Sequence, residues 1–193
     1  MTGLQVLLFF SGCRRGEILG LSWENINWKD ECIYIKQSLI MENGEPKLKK
    51  GTKTIKSIRT IPIPHEIKLA LRKVYIRQKN ERNNNKNYNN PYNLVFATEI
   101  GSLPNPQYFS RNFKNKIKRL GLTKGLHIHS TRHTWATNMV QIGIPISDIQ
   151  SLGGWSRPDV LLNIYAHSVQ KTHKKAINKL FKIVNKEIMP EFS

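Results

Sequence analysis

Leu4, Leu7 and Leu8 recur at helical spacing at the front of the chain, so LQVLLFF predicts a short buried helix. After the SGCRRG break, Ile18 and Leu21 continue into a second helix that carries Glu17 and has Arg14 at its start. Residues 32–36 and 58–63 are β-branched and aromatic runs, with turn residues Asn43, Gly44, Pro46 and Gly51 between them. That pattern predicts one short antiparallel sheet presenting Lys53 on a loop. Ile67, Ala70, Leu71, Val74 and Tyr75 form the apolar stripe of a third helix, which ends in NERNNNKNYNNPYN. The Asn-rich residues 83–93 hold too little apolar surface to build a core and are expected to be a flexible surface loop. Further helices are predicted around Phe113 to Leu120, Thr131 to Val140 and Ile146 to Leu152, and across Tyr165. Val169, Ile177, Leu180, Phe181 and Val184 share one side of a basic amphipathic helix over 168–188. The fold class is therefore mainly α with a small antiparallel β-sheet, an α+β domain.

Charge narrows the partners. The chain has 193 residues, with 31 Lys plus Arg against 13 Asp plus Glu and a formal net charge of +18. Such an excess suits phosphate neutralisation with strong salt dependence, although an anionic membrane surface or an acidic protein would also attract it. No apolar run approaches the roughly 20 residues of a spanning helix, and LQVLLFF lacks a basic flank and a cleavage site. A soluble, cytoplasmic protein without membrane association is expected. Cys13 and Cys32 form neither a metal-spaced pair nor a disulfide framework, which fits a reducing compartment.

Candidate chemistry is concentrated in the last third, where His129, Arg132, Trp155 and Tyr165 follow in order, with Arg14 far upstream. A phosphodiester under attack gathers negative charge on its non-bridging oxygens. Planar guanidinium forks bind such oxygens bidentately and stay charged at any working pH. Arg14 and Arg132 fit that clamp, while His129 and the Trp155 indole N–H fit as additional fixed donors. Tyr165 fits a nucleophile that forms a covalent intermediate and can leave again. The pair His129 and His133 has the i, i+4 spacing of metal ligands, but HSTRH lacks the glutamate of HExxH. No metal and no cofactor is expected.

Taken together these segments resemble the tyrosine recombinase (phage integrase) family over nearly the whole chain. SGCRRGEILGLSWENIN resembles the family's first-arginine box, usually close to TGLRxGELLxLxWxDI. Arg14 then stands for the first catalytic arginine, and Glu17 for the acidic residue kept beside it. IHSTRHTWAT resembles the HxxRHT box, which assigns His129 and Arg132 and places His133 as a supporting residue. LGGWSRPDVLLNIYAH resembles the LGHSS box, with Trp155 where many members have histidine, and Tyr165 ten residues later is the nucleophile. KKGTKTIKSIRTIPIP resembles the hairpin carrying the catalytic lysine, best matched by Lys53 and Thr54, with Lys50 and Lys56 as alternatives. Ser11 and Cys13 replace the commoner Thr and Leu.

The resemblance implies a catalytic domain over residues 1–193, with no N-terminal core-binding domain ahead of it in this chain. It implies site-specific recombination of double-stranded DNA by metal-free transesterification through a 3′-phosphotyrosine. Four protomers would act in a synapse, with accessory DNA-bending proteins as further partners. Two alternatives stand beside recombination: a non-catalytic basic DNA-binding module, such as a relic integrase fragment, and a type IB topoisomerase of the same chemistry acting on one duplex. At the level of local structure, the HxxR pair is expected to span a helix start capped by Ser130 or Thr131, next to exposed N–H groups that disfavour imidazolium. Lys53 is expected at a hairpin tip, donating a proton to the departing 5′ oxygen.

Overall fold

The computed structural model describes residues 3–51, 58–122 and 126–169, and it is an α+β domain. Helix α1 (Gly3–Ser11) buries Leu4, Leu7 and Leu8, as their spacing predicts. Gly12, at φ +61, turns the chain toward α2 (Arg15–Leu19). A 3-10 turn (Trp23–Asn25) leads into strands β1 (Ile26–Asn27), β2 (Cys32–Ile35), β3 (Gln37–Glu42), β4 (Glu45–Lys50) and β5 (Arg59–Pro62). Five helices follow: α3 (His65–Asn84), α4 (Pro106–Arg119), α5 (Ile128–Gln141), α6 (Ile146–Gly153) and α7 (Asp159–Val169).

The strands form two sheets, not the single sheet expected. β2 pairs antiparallel with β5, opposing Ile33 to Ile61 and Ile35 to Arg59, and β1 pairs with β2 on its other edge. The interval between the two β-branched runs is itself a hairpin, β3 with β4, in which Glu42 faces Glu45 across Asn43 and Gly44. Both turn residues have positive φ, 53° and 84°. This is the two-residue loop whose twist matches antiparallel strands, and Asn-Gly tolerates it best. Pro46, read as a turn residue, pairs with Met41 inside β4. Lys53 and Lys56 lie outside the described residues. The strands flanking them, β4 and β5, belong to different sheets.

In α3, Ile67, Leu71 and Val74 face inward, but Tyr75 does not. It is 54% exposed and sets its ring edge-on to Trp23 at 5.3 Å. Gln78 takes the next inward position, accepting from Trp23 Nε1 and donating to the carbonyls of Leu94 and Val95. The Asn-rich stretch begins as the end of α3, since Asn83 and Asn84 are helical. Beyond it, Asn85 Oδ1 accepts from Asn87 N–H, and Asn90 both accepts from and donates to the Leu94 backbone. These are the local side-chain bonds that favour turns over helix. The part of the expected 168–188 helix from residue 170 onward lies outside the described residues.

The described residues form two apolar clusters. The larger joins α1, α2, the β1-β2-β5 sheet and α3, and reaches Phe113 of α4 and Ile128 of α5. The smaller joins α5, α6 and α7 through Trp135, Ala136, Val140, Ile149 and Leu161. Among the described residues, no helix is long and apolar enough to cross a membrane.

Candidate active site

The seam between those two clusters gathers four of the sequence-predicted residues. Arg14 is the N-cap of α2, and its backbone N–H donates to Glu17 Oε2 at 2.7 Å. The same carboxylate accepts Arg14 Nη1 at 3.0 Å, while Arg14 Nη2 donates to the Gly154 carbonyl at 3.0 Å. The Arg14 side chain remains 48% exposed.

Arg132 enters the seam from α5. Its Nη1 donates to the carbonyls of Gly12 and Gly153, both at 2.6 Å, tying the α1–α2 turn to the end of α6. The guanidinium lies 3.5 Å from the centroid of the Trp155 ring, and Trp155 stacks on Trp135 at 6.1 Å and 14°. A guanidinium at this distance over an indole face is held there by cation–π attraction. Trp155 thus contributes a face that orients Arg132, whereas the sequence pointed to its N–H edge. Arg132 is only 3% exposed, and its Nη2 is buried with no hydrogen-bond partner among the described residues. Burial, with Arg14 and Arg59 nearby, pushes Arg132 down to about 9, which leaves it charged at neutral pH.

A third arginine, which the sequence reading missed, completes the arrangement. Arg59 donates to both oxygens of Glu17, Nη1 at 3.1 Å and Nη2 at 2.7 Å, and through Nε to the Leu152 carbonyl at 2.7 Å. Consecutive carbonyls at the C-terminal end of α6, those of Leu152, Gly153 and Gly154, therefore each accept from a different guanidinium. A helix C-terminus carries unpaired carbonyls and partial negative charge, so cations gather there favourably. The signal for Arg59 was present in the alternation of β5: Arg59 and Ile61 point inward, Thr60 and Pro62 outward. Within the β-branched run 58–63 this alternation puts a charge at an inward position.

Glycine makes these approaches possible. Gly154 sits at φ +71, and a Cβ there would meet Arg59 Nη1 at 2.7 Å. At Gly153 a Cβ would fall 1.8 Å from Trp155 Cζ3. Gly153→Ala should therefore expel the indole from its place between Trp135 and Arg132, with a loss of about 1–3 kcal/mol, typical of overpacking. Chemical denaturation would show it; unchanged stability would mean the indole packs elsewhere.

Glu17 responds to opposing influences. Burial pushes its carboxyl up, but the hydrogen bonds and charges of Arg59 and Arg14 outweigh burial and hold it below its ordinary 4.5. A depressed folded value contributes stability that is complete above 4.5 and is lost as the pH falls through the folded value. The unfolding free energy of the wild type should decline in that acid range, and the decline should be smaller in Glu17→Gln. Equal acid slopes would contradict the pairing. The Cys13 thiol, packed on Arg59 Nη2 at 3.4 Å, is pushed up to about 11, first by burial, and stays neutral.

His129 is the second residue of α5, whose N-cap is His127. The helix thus begins before Ser130 and Thr131, the caps expected from sequence. Ser130 Oγ instead accepts from the His127 N–H at 3.3 Å, and Thr131 donates to the Ile128 carbonyl. Burial, then the His133 and Arg132 charges, lower the His129 imidazole below 6.5 and leave it neutral at pH 7. His133, one turn on, is exposed and meets His129 edge-on at 4.9 Å.

Arg14, His129 and Arg132 line one open cleft of about 610 Å³ together with Arg15, Arg111 and Lys114. Trp155 reaches that cleft through Arg132. Tyr165 is not in its lining; it stands on α7, 45% exposed, one residue beyond Ile164 of the smaller cluster. Among the described residues its hydroxyl has no hydrogen-bond partner. Lys50, at the end of β4, is exposed.

An α+β domain whose basic cleft is built on clustered arginines at a helix end belongs to the class of anion-receptive sites. Comparison with known proteins places it more closely. A model of the phage integrase family matches residues 3–172, and the chain belongs to that family. It is 30% identical over 191 residues to a XerC-like tyrosine recombinase of Caldanaerobacter subterraneus subsp. tengcongensis, covering 93% of this chain and 49% of that protein. It is 24% identical over 176 residues to the integrase of Staphylococcus phage L54a, covering 90% and 49%. The chain thus spans about half the length of these curated relatives. Among solved structures, the Tn1549 transposon integrase in complex with circular intermediate DNA superposes with a TM-score of 0.76 at 22% identity, covering 93% of this chain and 59% of that one. The fold is shared.

Proposed function

We propose that the chain is the catalytic part of a site-specific DNA recombinase that cuts and rejoins duplex DNA by metal-free transesterification. Arg132 carries this reading: a buried, charged guanidinium, fixed by two carbonyls and an indole, belongs to the lining of a basic cleft and leaves one nitrogen without a partner among the described residues. A phosphate oxygen supplies what that nitrogen lacks, and the half-exposed Arg14 provides the opposing fork. Family membership and the recombinase and integrase relatives support the same assignment.

In this mechanism the Tyr165 hydroxyl oxygen attacks the scissile phosphorus as its proton passes to neutral His129 or to water. The bond from phosphorus to the 5′ oxygen breaks, and that oxygen takes a proton from a lysine of the β4–β5 connection, Lys53 by its place in the sequence. Arg14, Arg132 and His129 stabilise the charge on the non-bridging oxygens, and the Trp155 ring holds the Arg132 guanidinium in place. The 3′-phosphotyrosine conserves the bond energy, so a 5′ hydroxyl from another strand reverses the step without nucleotide. Glu17 and His133 support Arg14 and His129. Exchange between two duplexes calls for self-association on DNA, in a four-protomer synapse.

The test is to incubate the protein in chelator with nicked suicide duplexes drawn from the ends of the element that encodes it. The expected result is a denaturant-resistant adduct with the phosphate mapping to Tyr165. Salt-sensitive DNA binding without an adduct would instead identify a basic binding module.

A further inference from the structure

A guanidinium on the inward face of β5 has to be satisfied by protein, because an unpaired buried charge is costly. Arg59 meets that demand with all three nitrogens: Nε on Leu152, Nη1 on Glu17, and Nη2 on Glu17 and Cys13. Four of its five N–H groups are thereby engaged, and it does not line the cleft. Its partners, however, are the two pieces between which Arg14 is suspended. Glu17 holds Arg14 Nη1, and the turn following Leu152 provides the carbonyl that holds Arg14 Nη2. The same turn provides the Gly153 carbonyl that holds Arg132.

We propose that Arg59 is a positioning residue of the strand-transfer site: it locks the Glu17 carboxylate to the C-terminal turn of α6 and thereby fixes the spacing of Arg14 and Arg132. The inference rests on the strand-transfer reading of the cleft. Arg59 also divides the charge of Glu17. It engages both carboxylate oxygens, so Glu17 neutralises Arg14 only in part and leaves it able to attract a phosphate. Without Arg59 the carboxylate would fall to Arg14 alone, and the turn carrying Trp155 would lose its tie to the sheet.

The experiment compares wild type, Arg59→Met and Arg59→Lys in single-turnover adduct formation on the suicide duplex. DNA is saturating, and the temperature is one at which circular dichroism shows each protein folded. DNA affinity is measured by anisotropy, and the adduct rate is followed across pH. Arg59→Met should lower the rate on the order of 100-fold with little change in Kd, since misplaced clamps cost rate more than binding. Its acid limb should move to higher pH because Glu17 loses its main ion-pair partner. A purely structural role would lower the melting temperature without moving that limb. Arg59→Lys should restore the limb but only part of the rate, because one ammonium cannot hold Glu17 and the Leu152 carbonyl together. If Arg59→Met does not fold, the lysine variant decides: a wild-type rate in folded Arg59→Lys overturns the proposal. An adduct formed equally fast by wild type and Arg59→Met also overturns it, while leaving strand transfer intact. No adduct from the wild type would sink the strand-transfer reading itself.

Discussion

Tyr165→Phe is expected to remove the covalent protein–DNA adduct entirely while leaving the protein folded and bound to DNA. The adduct rate should fall on the order of 10⁴-fold or more, since no other group takes over from a deleted nucleophile. The substitution deletes one oxygen from a side chain that is 45% exposed and whose hydroxyl has no partner among the described residues. Its cost in stability should accordingly be small, within about 0.5 kcal/mol for a surface position. The contrast between lost chemistry and retained fold and affinity is what identifies a nucleophile. An adduct that persists in Tyr165→Phe would move the nucleophile to another residue.

Arg132→Lys should have the next largest effect, because two functions are combined in one guanidinium. Nη1 bridges the Gly12 and Gly153 carbonyls, and Nη2, on a residue that lines the cleft, is buried without a hydrogen-bond partner among the described residues. Lysine offers a single nitrogen and no planar face for Trp155. It can serve the carbonyls or the phosphate, not both. The adduct rate should fall on the order of 10²- to 10³-fold, as when one preorganised oxyanion donor is removed. Stability should fall by about 1–3 kcal/mol, the cost of leaving buried carbonyls unsatisfied. Single-turnover kinetics below the melting transition, paired with denaturation curves, separate the two effects. A rate within tenfold of wild type would show that the fork geometry is not needed.

The elements whose formation depends on local pattern were legible in advance. The leucine spacing of α1, the stripe of Ile67, Leu71 and Val74, and the β-branched runs of β2 and β5 stand where their periodicity puts them. Readings that needed a partner fared less well. Asn43, Gly44 and Pro46 punctuate the interval 37–50 and predict turns there, yet punctuation does not say which strands it joins, and β3 pairs with β4. The cap of α5 falls on His127 instead of Ser130 or Thr131. A serine three residues into a helix closes its first turn as readily as it caps one. Tyr75 lies outside the core because Gln78, with three partners gathered from distant segments, is the residue that can be buried.

The sequence by itself determined the chemistry available: the order Arg14, Glu17, His129, Arg132, Trp155 and Tyr165, the strong positive charge, and the helical and strand periods that carry them. Side-chain type and spacing are properties of the chain, so they can be read without a structure. Only the tertiary structure decided how those groups are held. It brought Arg59 from β5 onto Glu17, set the Trp155 ring over the Arg132 guanidinium, and gathered three guanidiniums on consecutive carbonyls at the end of α6. The reason is physical: each contact joins residues 21 to 140 positions apart. A buried ion is stabilised or penalised by whichever groups the fold places within hydrogen-bond reach, and no local pattern specifies them.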